Sequence, residues 1–156
     1  HGHMAIIGYE LYVKMLNEAI SKIKGEEIVE DIDVEIELTV NAYIPSSYIQ
    51  DEIIKLEMYK KIATIDNKED MYEMQEELED RFSDIPKETQ TLLNIAYIKS
   101  LCKRLKIDKV KQTGQTIDLM PFTKYESKEA SGYDIVMELV NMLEGFCKRQ
   151  KTKNQN

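Results

Sequence analysis

Glu76-Glu77-Leu78-Glu79-Asp80-Arg81-Phe82-Ser83-Asp84-Ile85-Pro86 spells out a helical corner. An acidic helix end carries one Arg and closes on an aromatic plug. Pro86 then opens the next helix, where its missing N–H has no intrahelical acceptor to lose. Upstream, Met71, Met74, Leu78 and Phe82 form a narrow apolar stripe at helical spacing, and the remaining surface is largely acidic. Downstream, Leu92, Leu93, Ile95, Ala96, Ile98, Leu101, Cys102 and Leu105 make a helix apolar over most of its circumference. That helix is the expected centre of the core. Lys103 and Arg104 near its end complement the helix dipole. Chemistry alone reads the corner as an acidic docking surface on a rigid support.

Working outward, Ser47 and Gln50 suggest a capping box opening a helix to about Ala63, buried through Ile49, Ile53, Leu56, Tyr59 and Ala63. Asp66 and Glu69 suggest a second box for the helix ending at Phe82. Before Pro45, Ile32, Val34, Ile36, Leu38 and Val40 alternate with Asp33, Glu35, Glu37 and Thr39, a period of two that predicts a strand with one buried face. Earlier still, Tyr9 to Ile23 follows a helical period, and Gly25 ends it. Val110 to Leu119 reads as a hairpin turning near Thr113-Gly114, closed by Pro121. A last helix is expected from about Gly132 to Cys147, buried through Ile135, Val136, Leu139, Val140, Leu143 and Phe146. The sum is an α+β fold: one helix-rich domain with a small, mostly antiparallel sheet. The expected limits are a tail or linker over 1–8, the domain over 9–149 and a disordered basic tail over 150–156. His1-Gly2-His3-Met4 is either a tag remnant or the end of a preceding domain.

The chain has 156 residues, enough for one domain with a real core, and 42% apolar content is too high for disorder. No apolar run reaches membrane-spanning length. Cys102 and Cys147 stand alone without a CxxC partner, which disfavours zinc and disulfides and fits a reduced cytoplasmic setting. A net charge of −8 argues against the whole surface binding nucleic acid. The charge is uneven. Residues 26–37 hold seven acids and no Lys or Arg, residues 66–82 hold eight acids against Lys68 and Arg81, and residues 99–111 hold six bases against Asp108. The last block comprises Lys99, Lys103, Arg104, Lys106, Lys109 and Lys111. With the basic tail it is the alternative functional surface, a DNA-contacting accessory domain.

Catalytic signatures are missing. None of the six glycines sits in a phosphate-binding loop or a dinucleotide fingerprint, and the histidines are terminal, which leaves no His-based triad. Asp51-Glu52-Ile53-Ile54 superficially matches a helicase acidic box but falls on an amphipathic helix. Nothing places two carboxylates in an apolar pocket. The expectation is a chain with no catalytic, cofactor-binding or metal-binding residues of its own.

Two blocks carry a family resemblance. The first is Ala42-Tyr43-Ile44-Pro45-Ser46-Ser47-Tyr48-Ile49, continuing through Lys55-Leu56-Glu57-Met58-Tyr59-Lys60-Lys61-Ile62-Ala63. The second is Glu77-Leu78-Glu79-Asp80-Arg81-Phe82, followed by Ile85-Pro86 and Leu92-Leu93. In order and spacing they resemble the C-terminal domain of bacterial transcription-repair coupling factors. A weaker match, Gly8-Tyr9-Glu10-Leu11-Tyr12, is similar to the segment entering that domain. Ser83 stands where the family usually has Gly, and Lys55 and Lys61 stand where Arg is common. The resemblance implies a regulatory domain of an ATP-driven DNA translocase, with ATP and magnesium used only by motor domains outside this chain. The whole protein would act on duplex DNA and displace RNA polymerase stalled at damage. The implied partner of this domain is a UvrB-like N-terminal module of the same protein, on which it docks, masking the UvrA-binding surface and restraining the motor. The matching family positions place Glu77 and Asp80 against arginines of that module. Three apart on one helix, the two acids are expected on one side, with Glu73 and Glu76 as neighbours. Arg81 is expected to pair with nearby acids, Phe82 to pack in the core and Pro86 to fix the corner.

Overall fold

A computed structural model describes residues 34–154. The expected helix from Tyr9 to Ile23, the linker over 1–8 and the start of the first strand at Ile32 lie outside the described residues. The elements are β1 (Glu35–Glu37), α1 (Glu52–Ile62), α2 (Lys68–Phe82), α3 (Lys87–Leu105), β2 (Lys109–Thr113), β3 (Thr116–Met120), β4 (Thr123–Glu126) and α4 (Gly132–Asn154). The sheet order is β1-β2-β3-β4, with β1 parallel to β2 and the other two pairings antiparallel. This is the expected α+β fold.

The pleat sorts the sheet into two faces. Ile36, Val110, Ile117 and Leu119 point inward and join one core with Leu92, Leu93, Ile95, Ile98, Ile135, Val136 and Leu139. Outward, Glu37, Lys111, Asp118 and Lys124 fall in register across the four strands, a row of alternating charge. As expected, α3 is the central helix, buried over most of its length. It runs side by side with α4 in the same direction. Lys87 lies over the Tyr133 ring, Asn94 Nδ2 donates to Met137 Sδ, and the Tyr97 hydroxyl donates to Glu144 Oε2 at 2.8 Å. At the start of α4, a Cβ on Gly132 would meet Val40 Cγ1 at 2.5 Å and the Thr39 carbonyl at 3.0 Å. Only glycine fits that approach.

Several elements differ from expectation for physical reasons. The period-two burial does run from Val34 to Ile44, but only Glu35–Glu37 pairs as a strand. The cap of α1 is Asp51, not Ser47, and its carboxylate accepts from the Ile53 and Ile54 amides. The apolar face of α1 also shifts. Met58 and Ile62 are buried, whereas Ile53 is 77% exposed and Leu56 40%. α1 carries apolar residues on two helical phases, and periodicity alone does not choose between them. α2 is capped by Asn67, whose side chain accepts from Asp70 N. Pro86 occupies the N-cap of α3, one residue before the first turn. The edge strand β4 escaped notice because Thr123-Lys124-Tyr125-Glu126 shows no apolar alternation. α4 continues to Asn154, past the expected end at Cys147 and through most of the expected disordered tail. Its apolar stripe stops near Phe146, but a helix needs no buried face to extend, and Lys148, Arg149 and Lys151 suit its C-terminal dipole.

Ser83 ends α2 with φ 83° and ψ −164°. That region is nearly reserved for glycine, so a Cβ there stores strain. Ser83→Gly is expected to stabilise the fold by about 1 kcal/mol, after the entropy it restores to the unfolded chain is discounted. Urea denaturation measures this. A loss of stability on substitution would contradict the strain.

Candidate functional site

The acidic corner is built on α2. Met71, Met74 and Leu78 bury one side of the helix, which turns Glu69, Tyr72, Glu73, Glu76 and Asp80 outward. These positions recur at the three- and four-residue steps of one helical face. All five are exposed, and none of the four acids takes part in an ion pair among the described residues. Glu79 is exposed on the flank.

Glu77 is placed differently. Its Oε2 lies 2.7 Å from Lys61 Nζ on α1 and 3.3 Å from Arg81 Nη1 one turn on. The hydrogen bond from Lys61 holds its carboxyl below the usual glutamate range. Glu77 and Asp80 therefore do not present one shared outward pair. Glu77 clamps α2 to α1, and Asp80 belongs to the exposed stripe with Glu73 and Glu76. The sequence placed Glu77 by its three-residue step, but two nearby cations and partial burial decide where its side chain goes. A carboxyl held low stabilises the fold above its unfolded value, about pH 4.3, and loses that contribution as pH falls through its folded value. Glu77→Gln should thus cost stability near pH 6, and the difference from the parent should shrink as pH falls below that unfolded value. Denaturation across that range checks this. A difference independent of pH would contradict it.

The end of the corner is held by Tyr48. Its hydroxyl lies 3.1 Å from the Leu78 carbonyl and 2.9 Å from the Ser83 carbonyl, so one proton serves both acceptors. Its ring meets Phe82 edge-on at 5.9 Å. Burial, then the nearby charges of Glu79 and Asp84, push the phenol upward and keep it a donor. Sequence reasoning missed this role of Tyr48, for which a lone Tyr in a turn offers no local signal. Phe82 is partly buried, with the Arg81 guanidinium 5.0 Å from its ring centre. Gln75 Nε2 donates to Gln90 Oε1 at 3.0 Å and ties α2 to α3.

The basic segment is divided between the end of α3 and β2. Lys109 Nζ sits 3.4 Å from both Glu35 and Glu37, and Lys111 stands between Glu37 and Asp118 in the sheet register. The Arg104 guanidinium donates to the Asp66 carbonyl. Compensated cations of this kind make a poor phosphate track. Among the described residues, no group of His, Cys, Asp and Glu is arranged to hold a metal ion. No described helix is long and apolar enough to cross a membrane.

Residues 38–131 match the TRCF domain family. The transcription-repair-coupling factor of Staphylococcus epidermidis is 37% identical over 122 residues, and that of Bacillus subtilis 36% over 120. The matches cover 77% and 76% of this chain, which spans about a tenth of each relative (10%). A crystal structure described as the C-terminal domain of transcription-repair coupling factor superposes with a TM-score of 0.70 at 26% identity, covering 78% of this chain and 96% of that one.

Proposed function

Since the chain belongs to the transcription-repair coupling factor family, of which it carries the TRCF domain, we propose that it is a non-catalytic docking domain for the UvrB-like N-terminal module of its own protein. The family name sets it in transcription-coupled DNA repair. In the docked state the domain masks the surface that binds UvrA and restrains the ATP-driven translocase that removes stalled RNA polymerase. ATP and magnesium act in motor domains beyond this chain.

The observation that carries this reading is the outward stripe of Glu73, Glu76 and Asp80 on a helix whose other face is locked into the core. Arginines of the module would meet carboxylates whose positions are set before contact. Exposed ion pairs contribute little each and are screened by salt, so such a clasp holds yet releases. An energy gap of only a few kcal/mol keeps most molecules closed. Glu77, with Lys61 and Arg81, fixes the helix that presents the stripe.

Calorimetric titration of the UvrB-like module with this chain, at low and moderate salt, tests the reading. Salt-sensitive binding is the expected result, and no binding at low salt would overturn it. Duplex DNA is expected not to bind near physiological salt. A steep salt-dependent affinity for DNA would restore the accessory-domain alternative.

A further inference from the structure

The sheet ends on a free edge. β4 pairs with β3 on one side, and nothing among the described residues pairs with its other side. The ladder fixes where its unpaired backbone groups point. Thr113 and Thr116 close a two-residue turn, so the N–H and C=O of Ile117 face β4. Ser127 N donates to the Gln115 carbonyl at 2.7 Å, in the same register that sets Ile117 opposite Tyr125. Antiparallel pairs alternate, so Tyr125 directs its N–H and C=O to β3, whereas Lys124 and Glu126 turn theirs to the free edge. There the Lys124 carbonyl receives only a long 3.4 Å contact from Thr123 Oγ1.

The two side chains stand on the outward face, Lys124 opposite Asp118 and Glu126 opposite Thr116, and both are exposed. Neither takes part in an ion pair among the described residues. The alternating row of Glu37, Lys111, Asp118 and Lys124 therefore stops on a cation. A strand continuing the sheet should offer an acid to Lys124 and a base to Glu126. β4 itself meets both demands when turned antiparallel about Tyr125. That two-fold sets Lys124 against Glu126 of a second copy, and Glu126 against its Lys124. A lysine on an edge strand ordinarily discourages pairing. In this register each lysine meets a glutamate instead.

We propose that β4 is a self-recognition edge, on which a second copy of this chain docks antiparallel and joins two four-stranded sheets into one. Each pairing of Lys124 with Glu126 exchanges two backbone hydrogen bonds and carries one ion pair. Tyr125 meets Tyr125 of the second copy at the axis. Phe122, 61% exposed just before the strand, flanks the seam at either end. The seam is short, well under the roughly 1,600 Å² of a standard interface, so association is weak and depends on concentration. The docking face on α2 takes no part in it.

Sedimentation equilibrium of the full chain across concentration tests this, and a reversible monomer–dimer equilibrium is the expected result. Lys124→Glu sets acids face to face and Glu126→Lys sets bases face to face. Each variant alone should therefore self-associate at least about tenfold more weakly than the parent. Mixed in equal amounts, the two variants carry matched charges across both pairings, and they should associate about as tightly as the parent does. A parent that stays monomeric to about 1 mM would overturn the proposal. Dimerisation that neither variant weakens, or a mixture that does not associate, would overturn it equally, because either result excludes this register.

Discussion

Replacing Glu73, Glu76 and Asp80 together with Lys is expected to weaken docking on the UvrB-like module at least about 100-fold, because like charges facing each other across an interface cost several kcal/mol. The fold should barely notice, since exposed substitutions away from special features usually shift stability by about 0.5 kcal/mol or less. The contrast with Glu77 makes the expectation specific. Glu77 holds Lys61 and Arg81, so its replacement should register in stability and in the acid limb of unfolding, and only secondarily in docking. Calorimetry on the triple variant and on Glu77→Gln separates the two roles. Docking unchanged in the triple variant would remove the stripe from the interface.

Leu78→Ala is expected to destabilise the domain by about 2–5 kcal/mol, the range for a buried leucine whose cavity does not fully collapse. Leu78 is completely buried between two acids that face elsewhere, and it sits where α2, the Tyr48 clasp and α3 converge. The surroundings are rigid. Phe82 is held against Tyr48, Gln75 is tied to Gln90, and Glu77 is tied to Lys61, so little can move in to fill the space. Guanidinium denaturation gives the value. A loss under about 1 kcal/mol would mean that the corner relaxes and that α2 is not a fixed platform.

The parts of the fold legible in the sequence were those where one period dominates. The α2 stripe of Met71, Met74 and Leu78 and the wide apolar girth of α3 are where the pattern put them. The hairpin turns at Gly114, whose φ of 62° explains the glycine. Legibility failed where two patterns overlap or where none exists. α1 carries two apolar phases, and packing into the core selects the one through Met58 and Ile62. β4 is a polar edge strand, paired only on its β3 side. At the candidate site the acids were evident, but which of them stay outward was not. That depends on Lys61, sixteen residues from Glu77 in sequence and 2.7 Å from it in space. The basic run over 99–111 is likewise rearranged by the fold. Its cations are neighbours in sequence, yet the sheet sets Lys109 and Lys111 among Glu35, Glu37 and Asp118.

The measurement that bears most directly on the proposed clasp is UvrA capture by the full-length protein, with and without the Glu73/Glu76/Asp80 reversal on α2. If the stripe keeps the UvrA-binding surface masked, the reversed protein should capture UvrA readily while the parent does so poorly. Equal capture by both proteins would contradict the clasp.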